Sequence, residues 1–167
     1  NKKRFKCYNI AASNKNKSGY LFYGSKTSEL ASMTKNVNKL KFTRGVNVNK
    51  MQIRLSTLDR FYRKNKKYFK GLDFIKIDTE GHELEVLKGS KNLLKDLNPK
   101  FLQIEFNTHQ ILKKVTILDY QKILKNYKSY RLLPFGKKLL PISYLKPEDN
   151  IFHLSNILFV RKDINID

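Results

Sequence analysis

One cysteine among 167 residues, Cys7, excludes an internal disulfide, and one thiol with three histidines excludes a zinc site of the usual Cys/His kind. The expectation for Cys7 is a small buried side chain in a strand, in a protein of a reducing, cytoplasmic compartment. Apolar runs such as the one ending at Val160 fall far short of the roughly 20 residues a membrane-spanning helix needs. Glycine is scarce: the seven glycines form neither G-x-G-x-x-G nor a P-loop, so no phosphate cradle is visible. G-x-S-x-G, H-E-x-x-H and EF-hand patterns are missing too, which leaves hydrolase triads and those metal sites unsupported. The chain opens at Asn1 rather than Met and its first residues lack a signal peptide's apolar block, so the native start is expected upstream.

Acid is the other scarcity. Fourteen Asp and Glu face 35 Lys and Arg, for a net charge of +21. Such a balance suggests nucleic acid or another anionic surface. Only seven of the cations are Arg, however, and the lysines are spread along the chain, whereas base and bidentate phosphate recognition favour Arg. Abundant Lys, Asn, Ile, Tyr and Phe is also what AT-rich coding produces, and this account is preferred to a nucleic-acid face. At 40% hydrophobic residues the chain is too apolar to be disordered and long enough for one domain with its own core.

Periodicity predicts strands at 5–12 and 20–23 forming a hairpin, then a long irregular segment over 24–49 that reads as a lid or binding loop. A strand at 51–56, a helix at 57–66 and a buried strand at 72–77 follow. A single helix is expected over 80–97, stopped by Asn98-Pro99, then a second buried strand at 101–106 and a helix at 116–127. Strands at 130–133 and 157–161 flank a proline-containing connection. The order argues for a single α/β unit whose sheet is mostly parallel and ends in an antiparallel pair.

Against the basic background, Asp78, Glu80, Glu83 and Glu85 place four acids within eight positions, with no lysine between Lys76 and Lys88. Helix-dipole chemistry accounts for Glu83 and Glu85. It accounts poorly for Asp78, because a carboxylate ending an apolar strand costs desolvation unless it is partnered. Open α/β sheets bind ligands at such strand ends, and Gly81 permits a sharp turn there. If the strand at 101–106 is parallel to this one, Glu105, Asn107 and His109 share the same crevice. Acids and a histidine so placed can orient a hydroxyl, hold a cation or contact an ammonium group. His82 and His153 are weaker candidates.

The segment 73–89, DFIKIDTEGHELEVLKG, resembles the signature of the FkbM family of S-adenosylmethionine-dependent methyltransferases. Asn9 to Ser13 with Gly19, Leu55 to Asp59, Pro99 to His109 and the tail Asn150 to Arg161 are similar to the family as well. The resemblance implies a Rossmann-like class I methyltransferase fold of strand order 3-2-1-4-5-7-6. Residues 1–167 would then be the C-terminal two-thirds of the domain, with the first two strands missing and a gap left in the sheet. It also implies methylation of a hydroxyl on a sugar, glycan or related small molecule, using S-adenosyl-L-methionine. Ala11 and Ala12 would lie near the adenine, and Asp78, Glu80 and Gly81 near the methionine end. Asp78, Glu83 and His109 are the candidate bases, Glu105 and Asn107 the acceptor contacts, and no metal is expected. A basic nucleic-acid or anionic-surface module on the same scaffold is the competing reading, and an inactive remnant is a third.

Overall fold

A computed structural model describes residues 5–24, 31–34, 48–134 and 138–166. Its strands are β1 (Ala11–Ala12), β2 (Ser18–Tyr23), β3 (Asn49–Ser56), β4 (Phe74–Ile77), β5 (Phe101–Phe106), β6 (Tyr127–Leu132), β7 (Leu139–Pro141) and β8 (Ser155–Arg161). Between them run α1 (Leu58–Asn65), α2 (Glu83–Lys88), α3 (Lys91–Leu97), α4 (His109–Lys113) and α5 (Ile117–Ile123). The strands form two sheets, β1-β3-β2 and β4-β5-β8-β6-β7.

The α/β class is as expected, but the pairing is not mostly parallel. Only β1 with β3 and β4 with β5 run parallel; β2 with β3, β5 with β8, β6 with β8 and β6 with β7 are antiparallel. The reason is connectivity. One helical crossover joins paired parallel strands, through α2 and α3 between β4 and β5, whereas the chain beyond β6 returns by turns and loops. The order β4-β5-β8-β6 nonetheless follows that expected of strands four, five, seven and six.

The hairpin expected at the start is also absent, since β3 lies between β1 and β2 and takes the hydrogen bonds of both. Among the described residues, 5–10 pair with no strand, and Cys7 is exposed rather than buried. Most of the irregular segment predicted over 24–49 lies outside the described residues. Within it, Ser32 bridges to Phe22.

Burial alternates along β5, where Leu102, Ile104 and Phe106 are fully buried while Phe101, Gln103 and Glu105 are half-buried. In β4 the same alternation leaves Phe74 and Lys76 exposed, so only one face of this strand enters the core. The core joins that face to Leu84 and Leu87 of α2, Ile117 and Tyr120 of α5, and Ile157 and Phe159 of β8. The helix expected over 80–97 is two helices. Gly89 is the C-cap of α2, and a Cβ there would stand 2.0 Å from the Ser13 carbonyl oxygen, so the small sheet packs directly on the break and the position requires glycine. Asn98, at φ 42°, caps α3 in the left-handed conformation. Helix α5 begins on a capping box between Thr116 and Asp119 and stops at Leu124, which frees Tyr127 to open β6 earlier than periodicity indicates. Helix α4 and strand β7 were not expected; both are too short to establish a period.

Candidate active site

The signature segment becomes the turn between β4 and α2, at the carboxyl end of the parallel pair. Glu80 and Gly81 both take positive φ, 51° and 93°. A Cβ on Gly81 would lie 2.6 Å from the Cβ of His109, so this position requires glycine both for conformation and for space. Glu80 holds a conformation that non-glycine residues seldom adopt, and its carbonyl is fixed by the Ser32 hydroxyl, which donates at 2.6 Å.

Glu83 is the clamp of this turn. Its side chain is 1% exposed, yet its two oxygens accept from the Thr79 N–H, the Thr79 hydroxyl, the Gly81 N–H and the Gln110 amide at 2.9–3.1 Å. Burial pushes its carboxyl above the ordinary range, and the backbone donors oppose that rise. Gln110 donates also towards the Glu105 carbonyl and the Tyr120 hydroxyl, tying α4, β5 and α5 to the turn.

Asp78 sits differently. It is exposed, and the Lys76 ammonium lies 2.8 Å from it. The desolvation problem posed by a strand-ending carboxylate is therefore met by exposure together with an ion pair, not by a buried partner. The parallel pairing brings Glu105 to the same edge, and carboxylate oxygens of Asp78, Glu80 and Glu105 lie within 4.8 Å of one another. Three acids so close could hold a cation. Burial, then the charges of Glu80, Asp78 and Glu83, raise Glu105 to about 7, with Lys76 opposing.

Asn107 links these groups. Its amide donates to Glu105 at 2.9 Å, which orients its carbonyl oxygen to accept from the His109 N–H and to meet His109 Nδ1 at 2.9 Å. His109 is fully buried, and its Nδ1 lies 3.2 Å from Glu80. Burial lowers the imidazole and raises Glu80, and Nδ1 faces two oxygens, those of Asn107 and Glu80.

Beside the turn is a cavity of about 580 Å³, within the range of small-ligand sites. Its walls include Ile10, Ala11, Ala12, Met33, Thr79 and His82. It thus brings Ala11 and Ala12 together with the signature turn. His82 contributes a join with little trace in the residue pattern: its Nε2 lies 2.9 Å from the Ser13 hydroxyl, and burial lowers its pKa. Thr79, Gln110, Ser13 and Ser32 were all missed as site residues. Nothing in a lone Ser, Thr or Gln marks it, because their importance comes from partners distant in the chain. His153 is exposed and has no role in these contacts.

A left-handed acidic turn at a strand end, beside an apolar cavity, is the architecture of a small-molecule site in an α/β protein. A family model for the methyltransferase FkbM domain matches residues 1–129, and the chain belongs to this family. No curated protein and no solved structure matches it. Among the described residues, no helix is long and apolar enough to cross a membrane.

Proposed function

We propose that the protein is an S-adenosyl-L-methionine-dependent O-methyltransferase acting on a hydroxyl of a sugar, glycan or related small molecule, in the cytoplasm. The observation that carries this reading is that Thr79 and His82 of the signature turn, which flank Glu80 and Gly81 and follow Asp78, share a cavity with Ala11 and Ala12. We read residues 1–167 as the C-terminal two-thirds of one Rossmann-like domain, and the order β4-β5-β8-β6 supports that.

The residues present suit the cofactor. The flat faces of its adenine suit the Ile10, Ala11, Ala12 and Met33 walls, and Asp78 and Glu80, in the turn that supplies Thr79 to the cavity, would complement its ammonium and sulfonium charges. When bound, S-adenosylmethionine supplies an electrophilic methyl group. The protein's own work is to bind, to orient the acceptor and to take a proton. Asp78, exposed just past the end of β4, and Glu105, raised to about 7, are the carboxylates that can meet an acceptor hydroxyl; Asn107 fixes Glu105. A base near 7 is matched to neutral pH. Glu83 and His109 are buried and act as positioning residues, the first on the turn and the second on Glu80.

Transfer is read as independent of a divalent ion, because the Lys76 ammonium already neutralises Asp78. Adding a chelator in excess should leave turnover unchanged, and a loss restored by magnesium would overturn that. Asp78→Ala should abolish methyl transfer while circular dichroism and the melting temperature show a retained fold. Undiminished turnover in that variant would remove Asp78 from the mechanism.

A further inference from the structure

We propose that the protein docks on an anionic phospholipid bilayer through the sheet end that carries its acid cluster, so that the methyl acceptor is borne by the membrane. The second half rests on the methyl-transfer reading above; the docking itself does not.

Strand register defines this end. Phe106, where β5 stops, pairs with Ser155, and Leu132 of β6 pairs with Asn156. Leu133, one residue past β6, and Leu154, one before β8, therefore stand at the same end as Glu105 and Asp78. Ile111 on α4 and Ile151, beside the Phe152 ring that stacks on Phe106 at 5.2 Å, belong there too. These four aliphatic side chains are 53%, 37%, 51% and 63% exposed for Ile111, Leu133, Ile151 and Leu154.

Their exposure is not a sign of a loosely held segment. Arg131 grips the Asp149 carbonyl at 2.7 Å and the Ser155 hydroxyl at 2.5 Å, and Asn150 accepts from the Ile117 N–H at 3.0 Å. Ile142 and Phe152 of the same connection point inward to the core. The chain thus sorts its apolar residues, some inward and others held outward on a fixed frame. Aliphatic side chains gathered at one sheet end and held outward on a fixed frame suit an interaction surface.

The loops around these side chains carry lysines, whereas the carboxylates of Asp78, Glu80 and Glu105 lie at the strand ends and in the turn after β4. Lys113 and Lys114 follow Ile111, Lys138 accepts from the Leu133 N–H through its carbonyl, and Lys146 lies beside Asn150. None of the four forms an ion pair among the described residues. Of the two acids in this connection, Asp149 turns its carboxylate inward to the Ser143 N–H at 2.6 Å, leaving Glu148 exposed. Aliphatic side chains flanked by unpaired lysines fit an acyl boundary beneath anionic headgroups. Single-stranded nucleic acid would call for aromatic stacking and Arg instead. Three of the four aliphatics lie beyond residue 129, outside the matched family domain.

The test is co-sedimentation with vesicles of phosphatidylcholine alone and of phosphatidylcholine with phosphatidylglycerol, run without cofactor or acceptor. The protein is expected to bind only the second. Ile151→Ser/Leu154→Ser should weaken that binding at least tenfold with the melting temperature kept, and Lys138→Glu/Lys146→Glu should weaken it comparably. If the first pair fails to fold, Ile111→Ser/Leu133→Ser makes the same test. Absence of binding to anionic vesicles overturns the proposal. So does binding that the serine variants leave intact, since that is the net charge acting alone, and so does a dimer in sedimentation velocity that the serine variants dissolve. Failure of methyl transfer with vesicle binding retained would instead count against the enzymatic reading.

Discussion

The two sheets are held by different physics. The five-stranded sheet has a continuous core running from Ile77 through Phe106 to Phe159. In the three-stranded sheet Leu55 is the one buried apolar side chain, and Tyr20 and Met51 are about half exposed. The small sheet is kept in place by the Gly89–Ser13 backbone contact, the Ser13–His82 hydrogen bond and the packing of Ala12 on the core, and the Asp59 carboxylate ties the adjoining α1 to α3 by accepting from the Leu93 N–H at 2.9 Å. The candidate site lies at this seam, with the cavity wall on the weak side and the acids on the strong one. Hydrophobic burial therefore sets the positions of the acids, while a few close polar contacts set the shape of the cavity.

The largest expected effect is on the strong side. Glu83→Ala strands the donors of Thr79, Gly81 and Gln110, and buried unsatisfied groups cost about 1–3 kcal/mol each, so a loss of roughly 3 kcal/mol or more is expected in urea denaturation. Glu83→Gln, which keeps acceptor capacity, should lose less. On the weak side, Gly89→Ala drives a methyl into the Ser13 carbonyl; overpacking of this kind costs about 1–3 kcal/mol. Its signature is regional. Amide exchange should quicken in Asn49–Ser56 and remain slow in Phe101–Phe106, and equal acceleration in both would abolish the distinction between the sheets.

The smallest effect is electrostatic and concerns Glu105. Its folded-state pKa of about 7 lies above its ordinary value, so the folded protein binds this proton more tightly than the unfolded chain. Its contribution to stability is complete below the unfolded pKa and is lost as pH rises through about 7. Turnover should move the opposite way, rising with pH through the same range as the carboxylate forms. Glu105→Gln should flatten both profiles while leaving the melting temperature at high pH unchanged or higher. A rate profile unaltered by that variant would exclude Glu105 as the base.

The site's acids were legible because they contradict their surroundings: a charge cluster in a chain of opposite sign and a carboxylate within an apolar strand. Parallel pairing of β4 and β5 then places Asp78 and Glu105 as the alternation implies. The difference between Glu83 and Asp78 was not legible. Both are acids near a helix start, and only the fold decides that one is enclosed by donors from α4 and the turn while the other faces solvent beside Lys76. The helix break at Gly89 escaped prediction for a similar reason, since the leucine spacing continues through it and the Ser13 backbone packed against it is distant in the chain. The mixed pairing was hidden because local patterns report strand positions and not strand directions. The edge strand β7, three residues long, leaves no periodic trace.

The most direct test of the central claim, that the seam cavity takes the cofactor beside the acidic turn, is calorimetric titration of S-adenosylmethionine into the protein and its Ala11→Phe variant. The added ring occupies the cavity at a half-buried position that is outside the five-stranded core. The account predicts saturable binding to the parent and at least tenfold weaker binding to Ala11→Phe at an unchanged melting temperature. Equal affinity for both would place the cofactor elsewhere and contradict the account.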